Sequence, residues 1–156
     1  MEKEVVSKLI NKGYSIAFAE SCTAGLCAAK LVDVADASKV LKVSFVTYSN
    51  EAKMKYLDVK KEDIDAFDVV SEVVAKEMAL GVAKEAGSNV GVGVTGVAGP
   101  TGGTDEIPVG TVCFGFYING SVTTATVHFG NIGRNNVRKE ACDYVFERLN
   151  ELLWVK

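Results

Sequence analysis

Histidine is nearly absent from this 156-residue chain, with His128 as its single representative. Zinc sites and most serine or cysteine nucleophiles lean on histidine, so both begin with few candidates here. Cys22, Cys27, Cys113 and Cys142 form no C-x-x-C pair. With only His128 to join them, a zinc site is not expected, and neither metal nor cofactor is called for. No apolar run is long enough to span a membrane. The opening stretch "MEKEVVSKLINKG" has amphipathic helical spacing, unlike a signal peptide. Reduced thiols and a cytoplasmic location are therefore expected. A basic excess is missing too: the net charge is -3. That argues against nucleic acid as a partner, and the lack of an apolar span argues against a membrane. Low-complexity tracts and internal repeats are absent, as is any G-x-x-x-x-G-K-[ST] phosphate loop.

What remains is a globular composition, 48% apolar and 24% charged, long enough for one domain over residues 1–156. Helical and extended patterns alternate. Val5, Val6, Leu9 and Ile10 mark one helical face, closed by Gly13. "YSIAFAE" predicts a buried strand and "CTAGLCAAKLV" a helix. "VLKVSFVTYS" is β-rich, and "NEAKMKYLDV" predicts a short helix. Ser71 caps a clear helix whose stripe is Val74, Met78, Val82 and Ala86, with Gly87 as its stop. "NVGVGVT" predicts a strand, and "TVCFGFYI" and "VTTATVHF" flank an Asn-Gly hairpin turn. A long helix follows from Arg134 to Val155. The expected fold class is α/β: a three-layer α/β/α sandwich on a mixed, mostly parallel sheet containing a C-terminal β-hairpin.

The chemistry gathers in a few segments. Gly91, Gly93 and Gly96 match G-x-G-x-x-G, yet they lie inside a strand and no helix follows, so a dinucleotide site is not expected. "TGVAGPTGGTDEIPVG" is a glycine-rich loop without periodicity. It reads either as a phosphate cradle built from backbone N–H groups or as a long loop needing positive φ angles. In "AESCTAGL", Ser21 stands at a strand-to-helix junction. It can be a helix cap, or a nucleophile with oxyanion donors beside it. Cys22 is its rival, and Thr23 is assigned as the cap. His128 lies in a strand, where packing is the simpler role. Lysine can serve as base if burial lowers its pKa, and "TYSNEAK" offers Lys53 together with Tyr48. Arg134 and Arg138 share a face at the start of the last helix, where cations oppose the macrodipole; the pair reads either as a contact for an anionic ligand or as a solvent-exposed basic turn.

"AESCTAGL", "VTYSNEAK", "VSEVVAKEMA", "VTGVAGPTGGTDEIPVGTV" and "RNNVRKEA" occur in one order along nearly the whole chain. Together they resemble the C-terminal domain of the CinA family, the nicotinamide-nucleotide amidohydrolase or NMN deamidase family. The resemblance implies hydrolysis of nicotinamide mononucleotide to nicotinic acid mononucleotide and ammonia, in a three-layer α/β/α domain without metal. It implies Ser21, Tyr48 and Lys53 as catalytic residues. Cys22, Thr23, Thr95, Gly96, Gly99, Gly102, Gly103, Thr104 and Arg134 would then bind substrate. The implied partner is a small pyridine nucleotide, and the implied assembly a homodimer. The N-terminal molybdopterin-binding-like domain of full-length CinA proteins, with its pyrophosphatase activity, is expected to be absent. Three departures stand out: Ala24 where the family often has glycine, Val43, Ser44 and Phe45 where it often reads Gly-Gly, and "FGNIGR" where a Gly-Asp-Arg run is expected.

Overall fold

The two faces of the strands carry side chains of very different size, and this sets the layers. The computed structural model describes residues 1–154. Strand β1 spans Ile16–Glu20, β2 Phe45–Val46, β3 Val90–Gly96, β4 Thr111–Ile118 and β5 Ser121–His128. They form one sheet in the order β2-β1-β3-β4-β5. β2, β1 and β3 run parallel, while β4 is antiparallel to both neighbours. The mixed sheet of the sequence reading is therefore observed, with a parallel core and the expected hairpin. At the hairpin turn, Asn119 and Gly120 take φ of 45° and 102°, the paired positive values a two-residue turn of this kind requires.

Ile16, Phe18, Val90, Val92, Val94, Val112, Phe114 and Phe116 point to one face. There they meet helices α1 (Glu2–Lys12), α2 (Leu26–Val32) and α6 (Arg134–Leu152). The other face presents Ala17, Ala19, Gly91, Gly93 and Gly115. Helices α3 (Asn50–Leu57), α4 (Lys61–Phe67) and α5 (Glu72–Ala86) cover it. A Cβ on Gly93 or Gly115 would stand 2.4 Å or 2.3 Å from the Ala75 carbonyl oxygen of α5, and one on Gly91 2.3 Å from that of Ala79. The glycines of "GVGVTG" thus let a helix lie directly on the sheet, which is their purpose in this strand.

The largest departures from the sequence reading lie at β2, α2 and α4. β2 is only two residues long, because the Phe18 N–H donates to Ser44 Oγ and not to a backbone carbonyl, interrupting the ladder. α2 begins at Leu26, four residues late, since Ala24 and Gly25 take positive φ of 48° and 93°. α4 has no side-chain cap and gave no clear signal. Val155, placed at the end of the last helix, lies outside the described residues; α6 ends at Leu152. Among the described residues, no helix is long and apolar enough to cross a membrane.

Candidate active site

The carboxyl ends of β1, β2 and β3 converge, and their following loops open a cavity of about 310 Å³. Sites in open α/β sheets commonly lie beyond the carboxyl ends of parallel strands. Ser21 follows β1 directly. Its N–H donates to the Val94 carbonyl of β3 at 3.0 Å, so two strands fix its backbone. Its side chain reaches the cavity, where Lys53 Nζ donates to Ser21 Oγ at 3.0 Å. Lys53 projects inward from α3, one turn before buried Leu57, and is only 1% exposed. Ser49 caps α3 by accepting the Ala52 N–H, which sets the helix start that aims Lys53. Burial lowers the Lys53 pKa to about 8. Neutral amine, the form able to accept a proton, is therefore accessible near neutral pH.

Cys22 also lines the cavity. Burial, however, pushes its thiol up to about 11, the wrong direction for a thiolate nucleophile. Tyr48 is 59% exposed. Its backbone carbonyl accepts from Lys53 Nζ at 3.3 Å, while its hydroxyl accepts from Arg134 Nη2 at 2.9 Å. The hydroxyl is thus turned toward the arginine at the cavity mouth. Arg134 Nη1 also donates to the Gly99 carbonyl at 2.8 Å, tying α6 to the glycine loop.

Thr95, Gly96, Gly99 and Gly102 line the cavity. The Thr95 hydroxyl donates to the Val69 carbonyl at 3.1 Å, so it braces the opposite wall. Ala98 and Gly99 are buried, and among the described residues no acceptor takes their N–H groups. Gly99 has a φ of 83°, a conformation costly to any residue with a Cβ. Gly103 and Thr104 are not brought to the cavity. Thr104 closes a turn with Ile107, exchanging a backbone bond and accepting the Ile107 N–H on Oγ1. Gly103 packs against Val109, too close for a Cβ.

The Thr23 assignment needs correction. Thr23 is fully buried, is not among the residues that line the cavity, and makes no cap hydrogen bond; its Oγ1 has no partner among the described residues. The cap of α2 is supplied instead by Glu20, whose Oε1 and Oε2 accept the Cys27 and Ala28 N–H groups at 2.9 and 3.0 Å. A carboxylate there also suits the helix macrodipole. Glu20 was invisible as a cap because it precedes α2 by a full loop. Asn50, Asp68, Val69, Val70, Val97 and Thr101 also line the cavity and were likewise missed. Asn50 sits inside the "TYSNEAK" stretch already singled out, which was the available signal. His128 stands apart, paired across β4 and β5 with the Thr111 hydroxyl.

A family model described as the CinA C-terminal domain matches residues 1–153. A CinA-like protein of Kosmotoga olearia is 46% identical over 98% of this chain and 37% of its own length. A putative competence-damage inducible protein of Clostridium kluyveri is 43% identical over 100% of this chain and 36% of its own. The chain thus spans little more than a third of these relatives. Among solved structures, a competence or damage-inducible protein from Enterobacter asburiae superposes with a TM-score of 0.94 at 34% identity, covering 97% of this chain and 95% of that one. A CinA superfamily protein from Escherichia coli superposes with a TM-score of 0.90 at 33% identity, covering 99% and 91%.

Proposed function

The chain belongs to the CinA C-terminal domain family, and from that premise we propose that it hydrolyses the carboxamide of nicotinamide mononucleotide, giving nicotinic acid mononucleotide and ammonia. One observation carries the reading: a buried lysine of lowered pKa donates to a serine hydroxyl at 3.0 Å, at the floor of a cavity. A serine needs a base to become a nucleophile, and a desolvated lysine is one.

In the proposed mechanism, neutral Lys53 takes the proton of Ser21 as Oγ attacks the carboxamide carbon. The carbonyl oxygen becomes an oxyanion held by the N–H groups of Cys22 and Thr23. As the C–N bond breaks, Lys53 returns the proton to the leaving nitrogen and ammonia departs. Water then attacks the acyl ester, Lys53 takes its proton, and Ser21 recovers its hydroxyl. Tyr48 presents its carbonyl to Lys53 and its hydroxyl to Arg134. It therefore orients both the base and the mouth. The phosphate would sit on the open N–H groups of Ala98 and Gly99, beside the Arg134 guanidinium.

The test is incubation of the purified chain with nicotinamide mononucleotide, with ammonia and the acid product both quantified. Stoichiometric release of the two is expected. Saturable binding with no release would instead mark a nucleotide-binding module and contradict the proposal.

A further inference from the structure

In the turn that follows β1 the carbonyls of residues 20–23 are all held, while the N–H groups of Cys22 and Thr23 bond to no other residue. The Glu20 carbonyl accepts the Thr47 N–H at 3.0 Å, and the Ser21 carbonyl accepts the Ala24 N–H at 3.1 Å. The Cys22 carbonyl accepts from Arg138 Nε at 2.9 Å. The Thr23 carbonyl accepts from the Leu26 N–H at 3.0 Å and from Arg138 Nη2 at 3.3 Å. Among the described residues, no other residue accepts the N–H of Cys22 or Thr23, and that of Cys22 faces its own sulfur. Both residues are buried, at 6% and 0% exposure. Buried backbone donors without partners are rare, and here they sit beside the serine that Lys53 touches.

A trans peptide is planar, with its C=O and N–H pointing in opposite directions. Gripping the Cys22 carbonyl therefore fixes the direction of the Thr23 N–H, which shares its plane. The backbone would not hold this shape unaided. Ala24 sits at a φ of 48°, a left-handed conformation that an alanine adopts only at a cost. Arg138 arrives from α6, an element remote in sequence, and its third nitrogen, Nη1, is steadied by Asn135 Oδ1 at 3.2 Å.

We infer that Arg138 is a positioning residue that presets the oxyanion donors: its grip on the Cys22 carbonyl fixes the Thr23 N–H, and its grip on the Thr23 carbonyl fixes the Ala24 N–H, which holds the Ser21 carbonyl and with it the Cys22 N–H. This rests on the proposed amide hydrolysis. Its signature is selective weakening of the tetrahedral state, because ground-state contacts lie elsewhere, on the glycine loop and Arg134. Arg138 does not touch substrate in this account.

The experiment uses two ligands on the full chain. Nicotinic acid mononucleotide reports ground-state binding. The 3-pyridinecarboxaldehyde mononucleotide reports the tetrahedral state: Ser21 Oγ bonds its carbonyl carbon, the serine proton passes through Lys53 to the resulting oxygen, and a hemiacetal forms. Dissociation constants are measured by calorimetry for wild type, Arg138→Met and Arg138→Lys. The expected result is a loss of about tenfold or more in aldehyde affinity for Arg138→Met, in keeping with the size of oxyanion-donor effects. Acid-product affinity should stay within about twofold. Arg138→Lys should recover part of the loss, since an ammonium can reach one carbonyl. Equal losses for both ligands, including through misfolding, would make Arg138 a general strut and overturn the inference. So would unchanged affinities. If wild type itself releases no ammonia and prefers neither ligand, the proposed function fails, and this inference with it.

Discussion

Lys53 decides the pH behaviour of the site. Burial lowers its pKa to about 8, so kcat/KM for nicotinamide mononucleotide should rise through about pH 8 and level off above it. A flat profile across that range would count against Lys53 as the base. The same shift predicts a stability effect with a definite sign. An unfolded lysine keeps its proton up to the ordinary value of 10.5, whereas the folded one loses it near 8. Charging the buried amine therefore weighs on the fold fully below about pH 8, and the burden fades as the pH rises toward 10.5. Lys53→Met should accordingly stabilise the protein at pH 7, by up to about 3 kcal/mol, with little gain above pH 10.5, as read from urea midpoints. Ser21 and Lys53 were legible as residue types in suggestive stretches. Their contact was not, since "NEAKMKYL" gives no overt sign that a lysine turns inward. The clue was its position one turn from Leu57, with which it shares a buried face. Thr23 misled because a hydroxyl before a helix is the usual cap, and a buried carboxylate had taken that role.

At the scale of elements, the glycines of β3 and β4 let α5 lie directly on the sheet. Gly93→Ala would push a methyl into the Ala75 carbonyl. It should cost about 3 kcal/mol, the upper end of ordinary overpacking, because the obstacle is backbone. A urea midpoint unchanged from wild type would contradict the packing account. Most elements were legible here. Ser71 accepts the Val74 N–H and Gly87 closes α5 at a φ of 63°, both at the expected positions. Regular alternation with an Asn-Gly turn located β4 and β5. The shortened β2 was hidden because a serine side chain replaces a ladder acceptor, which propensity does not report. The start of α2 was hidden because Ala24 disguises a left-handed position that glycine would have advertised.

For the whole molecule, two cores on opposite faces of one sheet leave the strand ends as the natural place for a ligand. Anything that binds only the folded state stabilises it. Nicotinic acid mononucleotide at about 100 times its dissociation constant should raise the melting temperature of a chain this size by roughly 5–10 °C. Circular dichroism suits the measurement, because the single tryptophan, Trp154, is 77% exposed and reports little of the core. No shift at millimolar ligand would argue against a pyridine-nucleotide site. The fold class was legible from alternating patterns, and the family from the order of its segments. The cavity was not, because its walls come from loops distant in sequence that only the sheet brings together. The most direct test compares ammonia release from nicotinamide mononucleotide by wild type, Ser21→Ala and Cys22→Ala. Wild type and Cys22→Ala should release ammonia at similar rates, and Ser21→Ala should fall by about a thousandfold or more. Release by Ser21→Ala at the wild-type rate, or its loss only in Cys22→Ala, would contradict serine catalysis in this fold.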